Sequence, residues 1–385
     1  MSEKTLWATT ERNTNLEQMR RLREAGQSAW LDYISACLIQ DGRLVRLVES
    51  GAITGVTSNP TIFAKSVGSG ECGYEQAIRS LRGKDTSTFD VYDEITRRDI
   101  AAAADVLRPV YERTGGEDGY VSLEVSPELA REEDDTVIEA LRLFRTLGKP
   151  NVMIKVPATE EGTAAFRRLT AMGVNVNVTL IFSPSVYERV AMAYVKGLRE
   201  RAAGGQGVAR IASVASFFVS RVDTAVDKRL DALRASGALS AEHHALLRGQ
   251  AAVGNAKVAY QTFQRIFRGV EFEDLAARGA RPQRVLWAST SAKDPSYSDL
   301  KYVEPLIGPA TVNTMPSETL AAFLDHGKVN PRALEQGARE ARELFPRIAA
   351  LGIDFEQVCA ELLEKGVQAF AQSFHELLDT IGKVV

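Results

Sequence analysis

The sequence predicts an α/β chain folded as a (β/α)8 TIM barrel with extra helices at the C-terminus. Three observations point there. Short apolar runs, eight in all, alternate with longer helical stretches along the chain. Each connection is long enough to return the chain for a parallel neighbour, which takes a dozen or more residues. Several runs also carry polar residues at every second position, and a two-residue period marks one face of a strand. A doubly wound open sheet is the alternative for the same alternation.

In chain order, a first helix spans about Asn15 to Glu24, capped by Thr14 or Asn15 and stopped at Gly26. The run 29–34 (Ala-Trp-Leu-Asp-Tyr-Ile) reads as the first strand, and Ile53–Thr57 as the second, ended by Ser58-Asn59-Pro60. Helices follow around Tyr74–Leu81 and Thr88–Tyr111. The third strand, Tyr120–Val125, breaks at Ser126-Pro127. Four acidic residues, Glu132 to Asp135, open the next helix, as the positive end of a helix dipole favours. Strands four to six are Val152–Val156, Val174–Phe182 and Ile211–Phe218. A helical stretch punctuated by Gly237 and Gly249 leads to strands seven and eight, Arg284–Ala288 and Thr311–Thr314.

At about 150 residues per domain, 385 residues would allow two or three domains. A barrel of about 250 residues that tolerates insertions accommodates them equally well. With no internal repeat, low-complexity segment or linker, the chain reads as one domain, 1–385. It carries a helical insertion over about 231–280 and a helical tail over about 320–385. Leu344, Ile348, Leu351, Phe355, Leu362 and Phe370 give the tail an apolar face that must pack on something.

Composition excludes several classes. Hydrophobic residues at 45% and charged residues at 25% fit a globular chain and exclude global disorder. Forty-seven Lys and Arg against 50 Asp and Glu leave a net charge of -3, which argues against a nucleic-acid-binding surface but not against a local anion pocket. No apolar run reaches the roughly 18 residues of a membrane span. The N-terminal arginines are mixed with Glu17 and Glu24 and lead into no apolar core, so the start reads as cytoplasmic. Cys37, Cys72 and Cys359 are odd in number and far apart, so neither a disulfide framework nor a zinc site is expected.

Strand parity carries the chemistry. On strand four, Val152, Ile154 and Val156 share one face, and Met153 and Lys155 the other. On strand three, Ser122, Glu124 and Ser126 oppose an apolar set; on strand five, Asn175, Asn177 and Thr179 do the same. Apolar faces suit covering helices, so the polar faces must look toward the barrel axis. Asp32 follows the same logic on strand one, and Asn59 lies just beyond strand two. These groups gather toward the C-terminal strand ends, where barrel enzymes carry their sites.

The plainer readings are definite. A strand lysine ordinarily sits at an edge or faces solvent, but a closed barrel has no edge. Burial favours the neutral form of an amine, which is nucleophilic toward carbonyls. Glu124 could instead be a structural ion-pair partner of Lys155, and Asn59 and Asn177 could be turn formers or satisfied barrel amides. As a set, one lysine, two carboxylates and several hydroxyls and amides suit imine chemistry on a polyhydroxylated carbonyl compound. Competing motifs are weaker. His243, His244, His326 and His375 lie off the predicted strands, where metal ligands would be wanted. The glycine clusters at 68–70 and 204–207 match neither a phosphate loop nor a dinucleotide fingerprint.

At these residues a resemblance emerges. The segments 54–61 (TGVTSNPT), 121–126 (VSLEVS), 154–159 (IKVPAT), 175–183 (NVNVTLIFS) and 216–223 (SFFVSRVD) resemble signature segments of the transaldolase family, in one order. The chain is similar to the longer bacterial branch. The resemblance implies transfer of a dihydroxyacetone unit from sedoheptulose 7-phosphate or fructose 6-phosphate to erythrose 4-phosphate or glyceraldehyde 3-phosphate, in the pentose phosphate pathway. It implies no cofactor and no metal. By residue match, Lys155 is the Schiff-base lysine and Asp32 the acid/base. Glu124 and Thr179 hold the water that shuttles protons. Asn59 and Asn177 orient substrate hydroxyls. Ser216 and Arg221 match the phosphate-binding end, since arginine binds phosphate bidentately. A family arginine after strand seven has no counterpart in 289–293 (STSAK), so Lys293 is expected to replace it as a point charge. Phe218 stands where related sugar-phosphate aldolases resemble one another in having Tyr, and its apolar ring fits transfer to an aldose. The alternatives are an aldolase that releases free dihydroxyacetone and a noncatalytic sugar-phosphate-binding barrel. Expected partners are sugar phosphates alone, with the chain a monomer or homodimer.

Overall fold

The computed structural model describes residues 16–83 and 86–384. Thr14 and Asn15, the predicted caps of the first helix, lie outside them. Eight strands form one closed barrel: β1 (Gln27–Leu31), β2 (Gly55–Thr57), β3 (Val121–Glu124), β4 (Val152–Pro157), β5 (Val176–Ile181), β6 (Ser213–Phe218), β7 (Arg284–Ala288) and β8 (Thr311–Met315). Every neighbouring pair is parallel, and β8 returns to pair with β1. Closure excludes the open sheet. Strand β1 starts and ends earlier than the sequence suggests, so Asp32 falls just past it. Its backbone N–H still donates to Met315 O at 2.8 Å.

The turns that leave the strands are chemically marked. Asn59 caps the helix Pro60–Gly68, accepting from Ile62 N, and Pro60 takes its first position. Thr159 caps Glu160–Met172 and Ser183 caps Pro184–Ala203 in the same way. Each side-chain oxygen satisfies one of a helix's orphan N–H groups. Packing needs glycine at one barrel position above all. A Cβ at Gly55 would meet the Trp30 ring at 2.5 Å, and Trp30 is the strand partner of Gly55.

Beyond the regular βα units, the segment between β6 and β7 holds four helices, Ser220–Ala235, Ala241–Leu247, Ala251–Phe267 and Val270–Ala276. After β8 come Ser317–His326, Ala338–Ala350 and the 29-residue helix Phe355–Lys383. That last helix packs on the helix Pro60–Gly68 and on Leu180. A Cβ at Gly366 would sit 2.8 Å from Leu180 Cδ2, so the small residue permits the approach. The tail therefore crosses the C-terminal end of the barrel.

One expectation fails. Cys37 and Cys72 form a disulfide with their Cα atoms 4.8 Å apart. Their separation of 35 residues hides the pair in the sequence. The helix Ala36–Gln40 after β1 and the turn after Pro60–Gly68 meet at the barrel mouth and bring them together. Cys359 is free and buried, its thiol donating to Phe182 O at 3.2 Å.

Candidate active site

Register builds the site. Glu124 pairs with Lys155 across β3 and β4, and Lys155 pairs with Asn177 across β4 and β5. Paired residues in adjacent parallel strands share a face, so the three form one row on the barrel axis. Two pairs higher, on the same face, Pro157 is paired with Thr179.

Lys155 is 4% exposed and Glu124 7%. The ammonium nitrogen lies 3.2 Å from Glu124 Oε2 and donates to Ser58 O at 2.9 Å. Burial pushes the Glu124 carboxyl above the ordinary carboxylate range, against the opposing pull of Lys155. Asp32 shifts the same way, raised by burial and opposed by the Thr57 hydroxyl, which donates to Asp32 Oδ1 at 2.7 Å. Thr57 Oγ1 is also 2.6 Å from Thr314 Oγ1, a contact that spans β2 and β8 behind Asp32.

A cavity of about 990 Å³ opens over this row. Lys155, Asp32, Thr179, Asn59, Ser216, Phe218, Arg221 and Lys293 all line it. Asn177 and Glu124 do not. Asn177 is held beneath, donating to Ser122 Oγ at 3.1 Å and accepting from Ser216 Oγ at 2.7 Å. Glu124 reaches the cavity only through Lys155. Buried Thr179 Oγ1 has no hydrogen-bond partner among the described residues, whereas Glu124 Oε2 is ion-paired with Lys155.

Arg221 opens the helix Ser220–Ala235 directly after β6. Its guanidinium stands 5.3 Å from the Phe218 ring centre and makes no hydrogen bond or ion pair among the described residues. Burial lowers its pKa, against the opposing pull of the Asp32 carboxylate across the cavity. Lys293 is exposed and donates to Ser291 Oγ at 2.7 Å. The stretch that carries it is fastened to the Arg221 helix: Ser220 N donates to Ser289 O at 3.1 Å, and Tyr297 OH to Asp227 at 2.6 Å.

Sequence reasoning missed Thr57, whose place two residues before Asn59 on the same face could have flagged it. It also missed Phe370, whose ring centre lies 5.9 Å from the Lys155 nitrogen. Phe370 appeared only as an apolar position of the tail, and nothing local shows where a tail helix lands.

Among the described residues no group of His, Cys, Asp and Glu is arranged to hold a metal ion, and no helix is long and apolar enough to cross a membrane. Fold and site together define a lysine-centred (β/α)8 barrel with an unpaired arginine facing its cavity. The family model described as Transaldolase/Fructose-6-phosphate aldolase matches residues 29–381, and the chain belongs to that family. It is 48% identical over 369 residues to the transaldolase of Saccharopolyspora erythraea, covering 96% of this chain and 97% of the relative. It is 47% identical over 357 residues to the transaldolase of Thiobacillus denitrificans, covering 93% and 97%. Transaldolase 2 of a Nostoc species is 43% identical over 375 residues, covering 96% and 98%.

Proposed function

We propose that this chain is a transaldolase. It moves a dihydroxyacetone unit from sedoheptulose 7-phosphate or fructose 6-phosphate to erythrose 4-phosphate or glyceraldehyde 3-phosphate, within the pentose phosphate pathway. The observation that carries the reading is the buried Lys155 amine at the cavity floor, 3.2 Å from Glu124 and in one cavity with Asp32.

Lys155 attacks the donor carbonyl, water leaves, and an imine forms. Asp32 takes the proton of the hydroxyl beyond the scissile bond. The bonding pair of the carbon–carbon bond flows into the imine, and the aldose phosphate departs. The enamine left on Lys155 then attacks the acceptor aldehyde, whose oxygen takes the proton back from Asp32. Water adds to the new imine and the amine is released. The unpartnered Thr179 hydroxyl and the Glu124 carboxyl, 3.2 Å from the Lys155 nitrogen, suit these two residues to hold that water. Asn59 keeps its amide N–H2 for substrate hydroxyls, its oxygen being committed to the helix cap. Asn177 acts through Ser216 rather than by touching substrate. Arg221 supplies a bidentate charge for the substrate phosphate, with Lys293 as a point charge beside it. Phe218, under the guanidinium, keeps that end apolar.

The whole chain forms the catalytic unit, with the helices of about 231–280 and 320–385 as additions to one barrel. It works in the cytoplasm as a monomer or homodimer, where the Cys37–Cys72 bond faces a reducing thiol pool. A coupled assay tests the reading. Fructose 6-phosphate should turn over rapidly only when erythrose 4-phosphate is present; comparable turnover without it would identify an aldolase instead.

A further inference from the structure

The helix Phe355–Lys383 is strapped across the barrel mouth by contacts to four separate βα connections. Ser373 Oγ is 2.9 Å from Thr61 Oγ1 after β2, and His375 Nε2 is 2.8 Å from Glu128 after β3. Ser185 after β5 donates to Glu356 at 2.7 Å, and Arg229 in the helix after β6 donates to Glu361 at 2.8 Å. Gly366 lets the helix sink onto Leu180, immediately after Thr179. These ties fix the helix along about five turns, and the residue it presents to the cavity beside Lys155 is Phe370. It is 4% exposed, lines the cavity and sets its ring 5.9 Å from the Lys155 nitrogen. Around the amine, Glu124 and the Ser58 carbonyl are polar neighbours and Phe370 is an apolar one.

We propose that Phe370 is a specificity-determining residue, whose ring shields the enamine on Lys155 from bulk water so that an acceptor aldehyde consumes it. The inference rests on the imine reading above. The enamine has two fates. Its carbon can attack an aldehyde, forming a carbon–carbon bond while the aldehyde oxygen takes a proton. Alternatively that carbon takes a proton from water, a second water adds to the resulting imine, and the amine leaves with free dihydroxyacetone released. The second fate consumes one water net and needs no aldose. An apolar group fixed over the reacting nitrogen removes the proton donor for that fate, because a ring offers water no hydrogen-bonding partner. Hydrolysis of the product imine still proceeds from the polar side.

The test uses full-length Phe370→Ala and Phe370→Leu. Two rates are measured from fructose 6-phosphate: dihydroxyacetone release without acceptor, and transfer to erythrose 4-phosphate. Borohydride trapping and a thermal melt accompany them. The ratio of release to transfer should rise about tenfold in Phe370→Ala and less in Phe370→Leu, with the trapped adduct on Lys155 retained in both. A ratio unchanged in both variants, with the two rates falling together, would overturn the proposal and leave Phe370 a packing residue. Phe370→Leu keeps apolar volume, so it decides the matter should Phe370→Ala fail to fold. Absence of any adduct on Lys155 in the parent chain would overturn the imine reading itself and this proposal with it.

Discussion

Both ends of the barrel bury charge, and they do so differently. At the base, Arg284 donates to Ser28 Oγ and to Glu117 O, each at 2.8 Å, and lies 3.6 Å from Asp118. Asp118 in turn accepts from Trp30 Nε1 at 2.7 Å and from the Ser28 hydroxyl. Each charge there is answered by protein. At the mouth, Arg221 makes no hydrogen bond or ion pair among the described residues, and buried Thr179 Oγ1 has no hydrogen-bond partner there. Buried polarity alone is therefore no mark of a site. Unpartnered oxygens occur at the base too, on Gln27, Asn151 and Gln283, so what distinguishes the mouth is the cavity of about 990 Å³ that a lysine, an aspartate and an arginine line together.

The contrast can be broken from either side. Lys155→Met should lower kcat at least about 10³-fold with a much smaller effect on the melt, because it deletes the proposed nucleophile while the Glu124 carboxyl, already raised by burial, can take a proton in place of its lost partner. Arg284→Met should do the reverse. It strands the buried Asp118 carboxylate and costs about 3–5 kcal/mol of stability, read by urea unfolding, while the folded fraction keeps its kcat. If Arg284→Met impaired catalysis as much as stability, the two ends would not be separable. Arg221→Met should raise KM for erythrose 4-phosphate by about 10–100-fold, with a far smaller effect on unphosphorylated glyceraldehyde, since a charge-assisted hydrogen bond is worth about 1.5–3 kcal/mol. Equal losses on both acceptors would remove Arg221 from the phosphate.

The smallest effect concerns pH. Burial raises the folded-state pKa of Asp32, so the native protein holds that proton more tightly than the unfolded chain. Its contribution to stability is therefore present at low pH and lost as pH rises through the folded value. In the proposed mechanism Asp32 acts as a base, a form that exists only above that value. The acid limb of kcat should thus lie above the ordinary carboxylate range, and Asp32→Asn should abolish that limb and slow the reaction. Above that limb the same variant should melt slightly higher than the parent, a trade common at strained sites.

The barrel was legible because two periodicities coexist: polar residues two apart on Val121–Glu124, Val152–Pro157 and Val176–Ile181, and helical spacing between them. Parity alone aligned Glu124, Lys155 and Asn177, and pairing register then set them in one row. Parity could not tell which of them would reach the cavity, since that depends on neighbours such as Ser216, 39 residues along the chain from its partner Asn177. The Cys37–Cys72 bond and the landing of Phe370 escaped for the same reason. Each joins segments whose meeting is fixed by how the loops and the tail close the mouth, and spacing records nothing of that.

Three lysines line the cavity, Lys65, Lys155 and Lys293, and only Lys155 is buried. Borohydride reduction with fructose 6-phosphate, followed by peptide mass mapping, tests the central claim most directly. A reduced sugar-derived mass on the Lys155 peptide alone is the predicted result. Its absence there from folded protein, or its appearance on Lys65 or Lys293 instead, would contradict it.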